Sequence, residues 1–277
     1  KSILSTAVLK AIKTKHPESY IIVTTSYPDV FINNPNVNKV ITQGYNMGLY
    51  KDYVLGKKAK IFVADPYASS DYLTESKHLL EIWCNLCEVT YNGEMPEIFI
   101  SKAEMEYFAP FYKLDKPIMV IQPNGGAANQ PLKYSWTRDI PAPVIQDVIN
   151  HYKNQYSIVH IKREDQPAYE NTIAALDGFR SIAVLLTLSK KRLLIDSFAM
   201  HMSTALGLPS AVCWIGTSPE VFGYEINNNI KANSPDKELD LNHPYLQKFP
   251  LFEDISKCPY SELNKVFDSK NLIKSLK

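Results

Sequence analysis

The chain has 277 residues, 45% of them hydrophobic and 21% charged, the composition of a globular protein long enough to bury a core without disulfides or metals. Its 30 basic side chains against 29 acidic ones leave a net charge of +1, which removes the electrostatic case for a dedicated nucleic-acid binder. No apolar run reaches the ~18 residues of a membrane-spanning helix, and the lysine-dotted start is expected to be an amphipathic helix rather than a signal peptide.

In chain order, residues 4–15 place Leu4, Val8, Leu9 and Ile12 on one helical face, with Lys10, Lys13 and Lys15 opposite or in the last turn. His16-Pro17-Glu18 stops that helix. The β-branched run 20–25 reads as a strand, and 39–42 as a second after Pro35-Asn36-Val37-Asn38. Residues 61–64 (IFVA) read as a third strand, 76–86 as a helix and 98–100 as a short strand. Residues 101–117, with charges, Pro110 and Pro117, read as a linker. A second alternation follows: strands 117–122, 156–161, 192–196 and 211–215, and helices 143–152, 181–189, 200–206 and 268–276. Gly207 suits the end of the third of these helices and Asp268 or Ser269 the start of the last.

Short apolar strands alternating with helices are the pattern of parallel sheets covered by helices, here in two halves divided near residue 112: 1–112 and 113–277. The last helix, within 268–277, is expected to pack back on the first half. A doubly wound domain normally opens with a strand feeding its first helix. This chain opens with the helix, so a leading strand ahead of Lys1 is expected.

The motifs narrow the chemistry by exclusion. The ten glycines form no G-x-G-x-x-G turn, no Walker A loop and no G-x-S-x-G elbow, and none of the six histidines sits in H-E-x-x-H. No two aspartates stand two apart, so no D-x-D pair is available to hold a metal-bound diphosphate. Cys84 and Cys87 form C-x-x-C. Their neighbours Leu79, Leu80, Ile82, Trp83 and Leu86 favour a packed helix over a redox or zinc site, and Cys213 and Cys258 offer no second close pair.

Four candidate loops remain, each after a strand of the second half. Asp196-Ser197 ends one strand and opens the next helix, whose free N–H groups suit a phosphate. The bland alternative is helix capping. His201 lies about one turn further on. Asn124-Gly125-Gly126 lets backbone approach a ligand closely, with Lys133 and Trp136 following, or else it is a surface turn. Lys162-Arg163-Glu164-Asp165 is either a solvated charge run or, through Glu164, an acceptor for ribose hydroxyls. Gly216-Thr217 follows the strand 211–215. Convergence of four such loops on one sheet edge outweighs any single motif.

The pattern resembles the glycosyltransferase family that includes the bacterial ADP-heptose:lipopolysaccharide heptosyltransferases, family 9. The opening stretch ILSTAVLKAIKTKHPESYIIVTT and PNVNKVI resemble its first helix and the segments after it. LLIDSFAMHMSTALGLPSAVCWIGTSPEVFG resembles its most specific motif, D-S/T-G-x-x-H, a small-residue helix, G-x-P, a strand and G-x-T-x-P. The resemblance covers essentially the whole chain. It implies an α/β, GT-B fold: two Rossmann-like, doubly wound parallel-sheet domains facing across a cleft, the acceptor on the first and a nucleotide sugar, most readily an ADP-sugar, on the second. It implies that Asp196, Ser197 and His201, with Lys133, Asn124 and Gly125, serve the diphosphate, that Glu164 holds the ribose, and that Thr217 joins the donor site.

The implied reaction is inverting transfer of a heptose or similar sugar to a glycan, lipopolysaccharide-type or lipid-linked acceptor. No metal or other cofactor is implied, and the implied location is cytoplasmic, at most peripheral to the inner face of the membrane. Two alternatives share the fold: a nucleotide-sugar-binding protein without transferase activity, and a nucleotide-sugar epimerase. Three departures bear on the choice. Phe198 stands where the family has glycine, the K-x-W pattern is stretched to Lys133-Tyr134-Ser135-Trp136, and the family's catalytic aspartate falls at or just before Lys1. The catalytic residue is therefore unknown from this chain.

Overall fold

The computed structural model describes residues 1–44, 47–125, 136–236 and 258–276. They form two compact units, Lys1–Phe99 and Ile100–Lys277.

In the first unit, α1 (Ser2–Lys15) buries Ile3, Leu4, Ala7, Val8 and Ala11 along one face, the spacing its sequence prescribes. Its last turn is closed by the Lys15 ammonium, which donates to Glu88 O at 2.6 Å. β1 (Ile22–Thr25) and β2 (Lys39–Thr42) pair in parallel, Ile22 opposite Lys39 and Thr25 opposite Thr42. The short helices α2 (Met47–Tyr53) and α3 (Ser70–Leu73) lead to α4 (Leu79–Leu86), which packs on α1. Cys84 and Cys87 sit in that packing layer as free thiols. Burial pushes them up to about 12 and about 11, so they stay protonated and serve as apolar filling. Among the described residues no group of three or more His, Cys, Asp or Glu could hold a metal ion.

Two expected strands of this unit do not form. Residues 61–64 join no strand among the described residues, with Ile61 65% and Val63 96% exposed. A β-rich composition makes a strand only when a partner edge and a buried face are present. Residues 98–100 form no strand among the described residues, and just before them Glu97 N–H donates to the Thr6 hydroxyl of α1 at 2.8 Å.

The second unit begins earlier than the boundary drawn after residue 112, because the stretch that reads as a linker folds onto it. Ser101 and Glu104 form a capping box that starts α5 (Lys102–Phe108). The charges there are not solvated linker charges. Glu104 accepts from the Arg180 guanidinium at 2.6 Å, and Tyr112 OH bonds Asp177 at 2.8 Å and Ser181 at 2.6 Å.

The core of this unit is a six-stranded, wholly parallel sheet. β3 (Ile118–Ile121) lies at its centre, flanked by β4 (Ser157–Ile161) and then β5 (Ile173–Ala175) on one side. On the other side come β6 (Lys191–Ile195), β7 (Ala211–Trp214) and β8 (Asn228–Lys231). Counted from β3, the spatial order is 3-2-1-4-5-6, the doubly wound arrangement whose direction of winding reverses between β3 and β6. The helices α6 (Ala142–Tyr152), α7 (Phe179–Leu188) and α8 (Phe198–Ala205) supply the crossovers. A short α9 (Pro219–Phe222) links β7 to β8.

β3 is buried at all four positions, and β6 and β7 are nearly so, as a sheet covered on both faces requires. β5 and β8 are the strands that periodicity misses: three residues, two of them exposed, and the polar run NNIK at an edge. The final helix α10 (Ser269–Ser275) packs on α6 of its own unit through Leu272 and Leu276, and Tyr152 OH donates to Ile273 O at 2.9 Å. No helix among the described residues is long and apolar enough to cross a membrane.

Candidate functional site

The winding reversal between β3 and β6 leaves a crevice at the carboxyl ends of the strands, where neighbouring crossovers depart to opposite faces. A hollow of about 340 Å³ occupies that place. Its wall comes from four consecutive strand ends. Gln122, Asn124 and Gly125 follow β3, and Lys162, Arg163, Glu164 and Gln166 follow β4. Leu176 and Asp177 follow β5, and Ser197 and Phe198 open α8 after β6.

The turn after β3 is held by a buried carboxylate. Asp139, 3% exposed, accepts the Gly125 N–H at 2.9 Å on Oδ1 and the Asn124 amide at 3.2 Å on Oδ2. Asn124 Oδ1 accepts in turn from Tyr169 OH at 3.1 Å. Gln166 donates to Gly125 O at 2.7 Å, which ties the β4 loop to the β3 turn. A Cβ at Gly125 would touch Ile195 Cδ1 at 3.4 Å and Arg138 Cδ at 3.5 Å, so the turn leans against the β6 end.

The segment carrying Asp139 also braces the β7 loop. Gly216 N–H donates to Thr137 O at 2.8 Å, and a Cβ there would lie 2.9 Å from Thr137 Cβ. That close approach requires glycine.

Of the residues singled out in the sequence, Asn124, Gly125, Glu164 and Ser197 border this one hollow. Glu164 is exposed at the rim, while its neighbour Arg163 is forked onto Asp165, Nε to Oδ1 at 3.0 Å and Nη2 to Oδ2 at 2.9 Å. Among the described residues Lys162 is then the cation of the wall without an ion pair, a place where a negative ligand would neutralise it. Ser197 occupies the N-cap position of α8, but its side chain makes no capping bond. The capping reading of Ser197 is thereby set aside, and the hydroxyl is available where the first N–H groups of the helix point outward.

Asp196 and His201 are not among the residues that line the hollow. Asp196 is 7% and His201 9% exposed, with His201 Nε2 3.8 Å from Asp196 Oδ1 and Nδ1 2.8 Å from Tyr224 OH. Thr217 lies on the braced β7 loop, outside the hollow, with its Oγ1 buried and without a hydrogen-bond partner. Lys133 lies outside the described residues.

Sequence reasoning passed over Gln122, Gln166, Leu176 and Asp177, while Phe198, expected to crowd the site, does line the hollow. Leu176 and Asp177 were hidden by the shortness of β5. Gln122 closes an otherwise apolar strand, and a polar residue at such a carboxyl end was a usable signal.

No protein-family model matches the chain, and no curated protein matches it in sequence. Solved structures do match in shape. A glycosyl transferase of family 9 from Veillonella parvula aligns over 99% of this chain and 91% of its own, with a TM-score of 0.67 at 14% identity. The ADP-heptose lps heptosyltransferase II of E. coli aligns over 99% and 93%, with a TM-score of 0.60 at 12% identity. The iron-containing, dodecameric heptosyltransferase TibC of enterotoxigenic E. coli, solved with ADP-D-beta-D-heptose, aligns over 98% and 70%, with a TM-score of 0.57 at 10% identity. Identities this low speak to the fold: the chain has the α/β fold of the GT-B heptosyltransferases.

Proposed function

We propose that this protein is a glycosyltransferase and that the hollow in the second unit receives the nucleoside diphosphate of a nucleotide-sugar donor. The observation that carries the reading is the meeting, at one winding reversal, of a carboxylate, a lysine without an ion pair, a glycine turn and a helix start: Glu164, Lys162, Asn124-Gly125 and Ser197. Each suits a different part of the ligand. Glu164 offers two acceptor oxygens to the vicinal hydroxyls of a ribose. Ser197 and the first N–H groups of α8 offer donors and a positive dipole end to phosphate oxygens. Lys162 adds a full charge, and on the family resemblance Lys133 adds another.

In this reading the reaction is a single displacement. An acceptor hydroxyl attacks the anomeric carbon of the sugar from the face opposite the departing diphosphate, so the configuration inverts. A base takes the hydroxyl proton. The departing diphosphate gains charge, which Lys162, Lys133 and the α8 amino terminus stabilise in place of a metal ion. No metal and no other cofactor enter the scheme. ADP is the nucleotide favoured by the resemblance, and TibC, of the same fold, holds ADP-D-beta-D-heptose. A heptose or similar sugar and a glycan or lipid-linked glycan acceptor complete the proposal.

A thermal-shift screen of nucleoside diphosphates and their sugars tests it, because whatever binds only the folded state raises the melting point. ADP or an ADP-sugar is expected to raise it, with sugar transfer in the presence of acceptor. A rise with ADP-sugars but product formed without any acceptor favours the epimerase reading. Absence of a shift with every nucleotide contradicts the proposal.

A further inference from the structure

One buried side chain in the wall of the hollow lacks a partner. Gln122 follows β3 directly, and its N–H continues the ladder to Leu193 O at 3.0 Å. The residue is only 5% exposed, and its Oε1 has no hydrogen-bond partner. Buried amide oxygens are ordinarily bonded, so an orphan in a cavity wall calls for a physical reason.

Three side-chain donors of the surrounding loops bond other groups. The Asn124 amide is spent on Asp139, the Tyr169 hydroxyl on Asn124, and the Gln166 amide on Gly125 O. Leucine or methionine would fill nearly the same volume without an unsatisfied acceptor, and the positions before Gln122, Ile118–Ile121, are all apolar. The polar exception stands where the chain reaches the hollow, which Ile182, Ser197 and Phe198 also line.

We propose that Gln122 is a donor-binding residue whose Oε1 accepts a hydrogen bond from a hydroxyl of the nucleotide sugar, either on the ribose or on the sugar to be transferred. The proposal rests on the reading of the hollow as the donor site. A phosphate oxygen is a partner for the Nε2 donors of the amide and not for Oε1, which only accepts. A site built to bond a hydroxyl rejects ligands that lack it, since the buried acceptor is then left unpaired. Gln122 therefore sets specificity for a hydroxyl-bearing group at that depth.

The test is calorimetric titration of the whole chain, wild type and Gln122→Leu, with ADP and with ADP-glucose, alongside melting curves. Gln122→Leu removes an unsatisfied polar atom, so its melting temperature is expected to hold or rise while affinity falls about tenfold. A merely structural glutamine would behave oppositely. Loss with both probes assigns a ribose hydroxyl, and loss confined to ADP-glucose assigns a hydroxyl of the sugar. Gln122→Met, unbranched like glutamine, repeats the measurement should leucine fit poorly. Unchanged affinity for both probes in a folded variant overturns the proposal while leaving the donor site standing. Wild-type protein that binds neither probe overturns the donor site itself, and the role of Gln122 falls with it.

Discussion

Asp139 holds Gly125: a carboxylate buried to 3% accepts the N–H of the glycine at 2.9 Å and with its other oxygen takes the Asn124 amide at 3.2 Å. A buried charge beside a proposed diphosphate site looks misplaced until its hydrogen bonds are counted. Both oxygens are turned toward the turn they support, so the residue shapes the wall rather than meeting the ligand.

Replacing Asp139 with alanine orphans one buried and one half-buried donor at once. The expected loss is about 3 kcal/mol, read from urea unfolding, with weaker ADP binding in the fraction that remains folded. A loss under ~1 kcal/mol would mean that the turn relaxes without its carboxylate.

His160, fully buried in β4 next to the Tyr169 ring, has neither ring nitrogen hydrogen-bonded. Burial, helped by the Lys162 charge, lowers it to about 4. The folded state thus disfavours the protonated form that the unfolded chain adopts near pH 6.5. Stability from this group is complete above pH 6.5 and is lost as the pH falls toward 4, on the order of 3 kcal/mol in all. His160→Leu should flatten the stability profile between pH 4 and 6.5. A profile unchanged by the substitution would show that His160 does not govern it.

Glu104 and Arg180 tie α5 to α7 in a largely buried pair at 2.6 Å. Bonding to the guanidinium, outweighing burial, lowers Glu104 to about 2. The stabilisation is present above pH 4.5 and is lost as the pH falls through about 2. Arg180→Met leaves a buried carboxylate unpaired and should cost about 3 kcal/mol, most of it recovered in the double variant Glu104→Met, Arg180→Met. Equal losses in the single and double variants would refute the pairing.

Val63 measures the failed strand. It is 96% exposed, so Val63→Lys is expected to change stability by less than about 0.5 kcal/mol in urea unfolding. A loss of about 2 kcal/mol would place Val63 in a buried strand after all.

The contrast between these residues explains what the sequence discloses. Ile118–Ile121, Leu193–Ile195 and Ala211–Trp214 are buried on both faces, so burial alone selects apolar residues at every position and the strands are visible as runs. Ile61 and Val63 carry the same composition without the burial, and composition does not say which edge pairs. α5 went unread because its stability lies in the capping box and in a partner 76 positions away, Arg180, neither of which has a period. At the site, Asn124, Gly125, Glu164 and Ser197 were legible because strand ends attract ligands whatever the sequence between them. Asp139 was not, because it acts through a turn it reaches only in three dimensions. Gln122 was half legible, as a polar residue closing an apolar strand, while its missing bond shows only in the structure.

The account rests on a nucleoside diphosphate in the hollow of the second unit, and titration of ADP into wild-type protein and Glu164→Ala tests it most directly. Glu164 is exposed at the rim, so its removal should leave the melting temperature unchanged. The prediction is saturable binding by the wild type, weakened about tenfold or more in the variant through loss of a charge-assisted hydrogen bond. No binding by the wild type, or the same affinity in both, would contradict it.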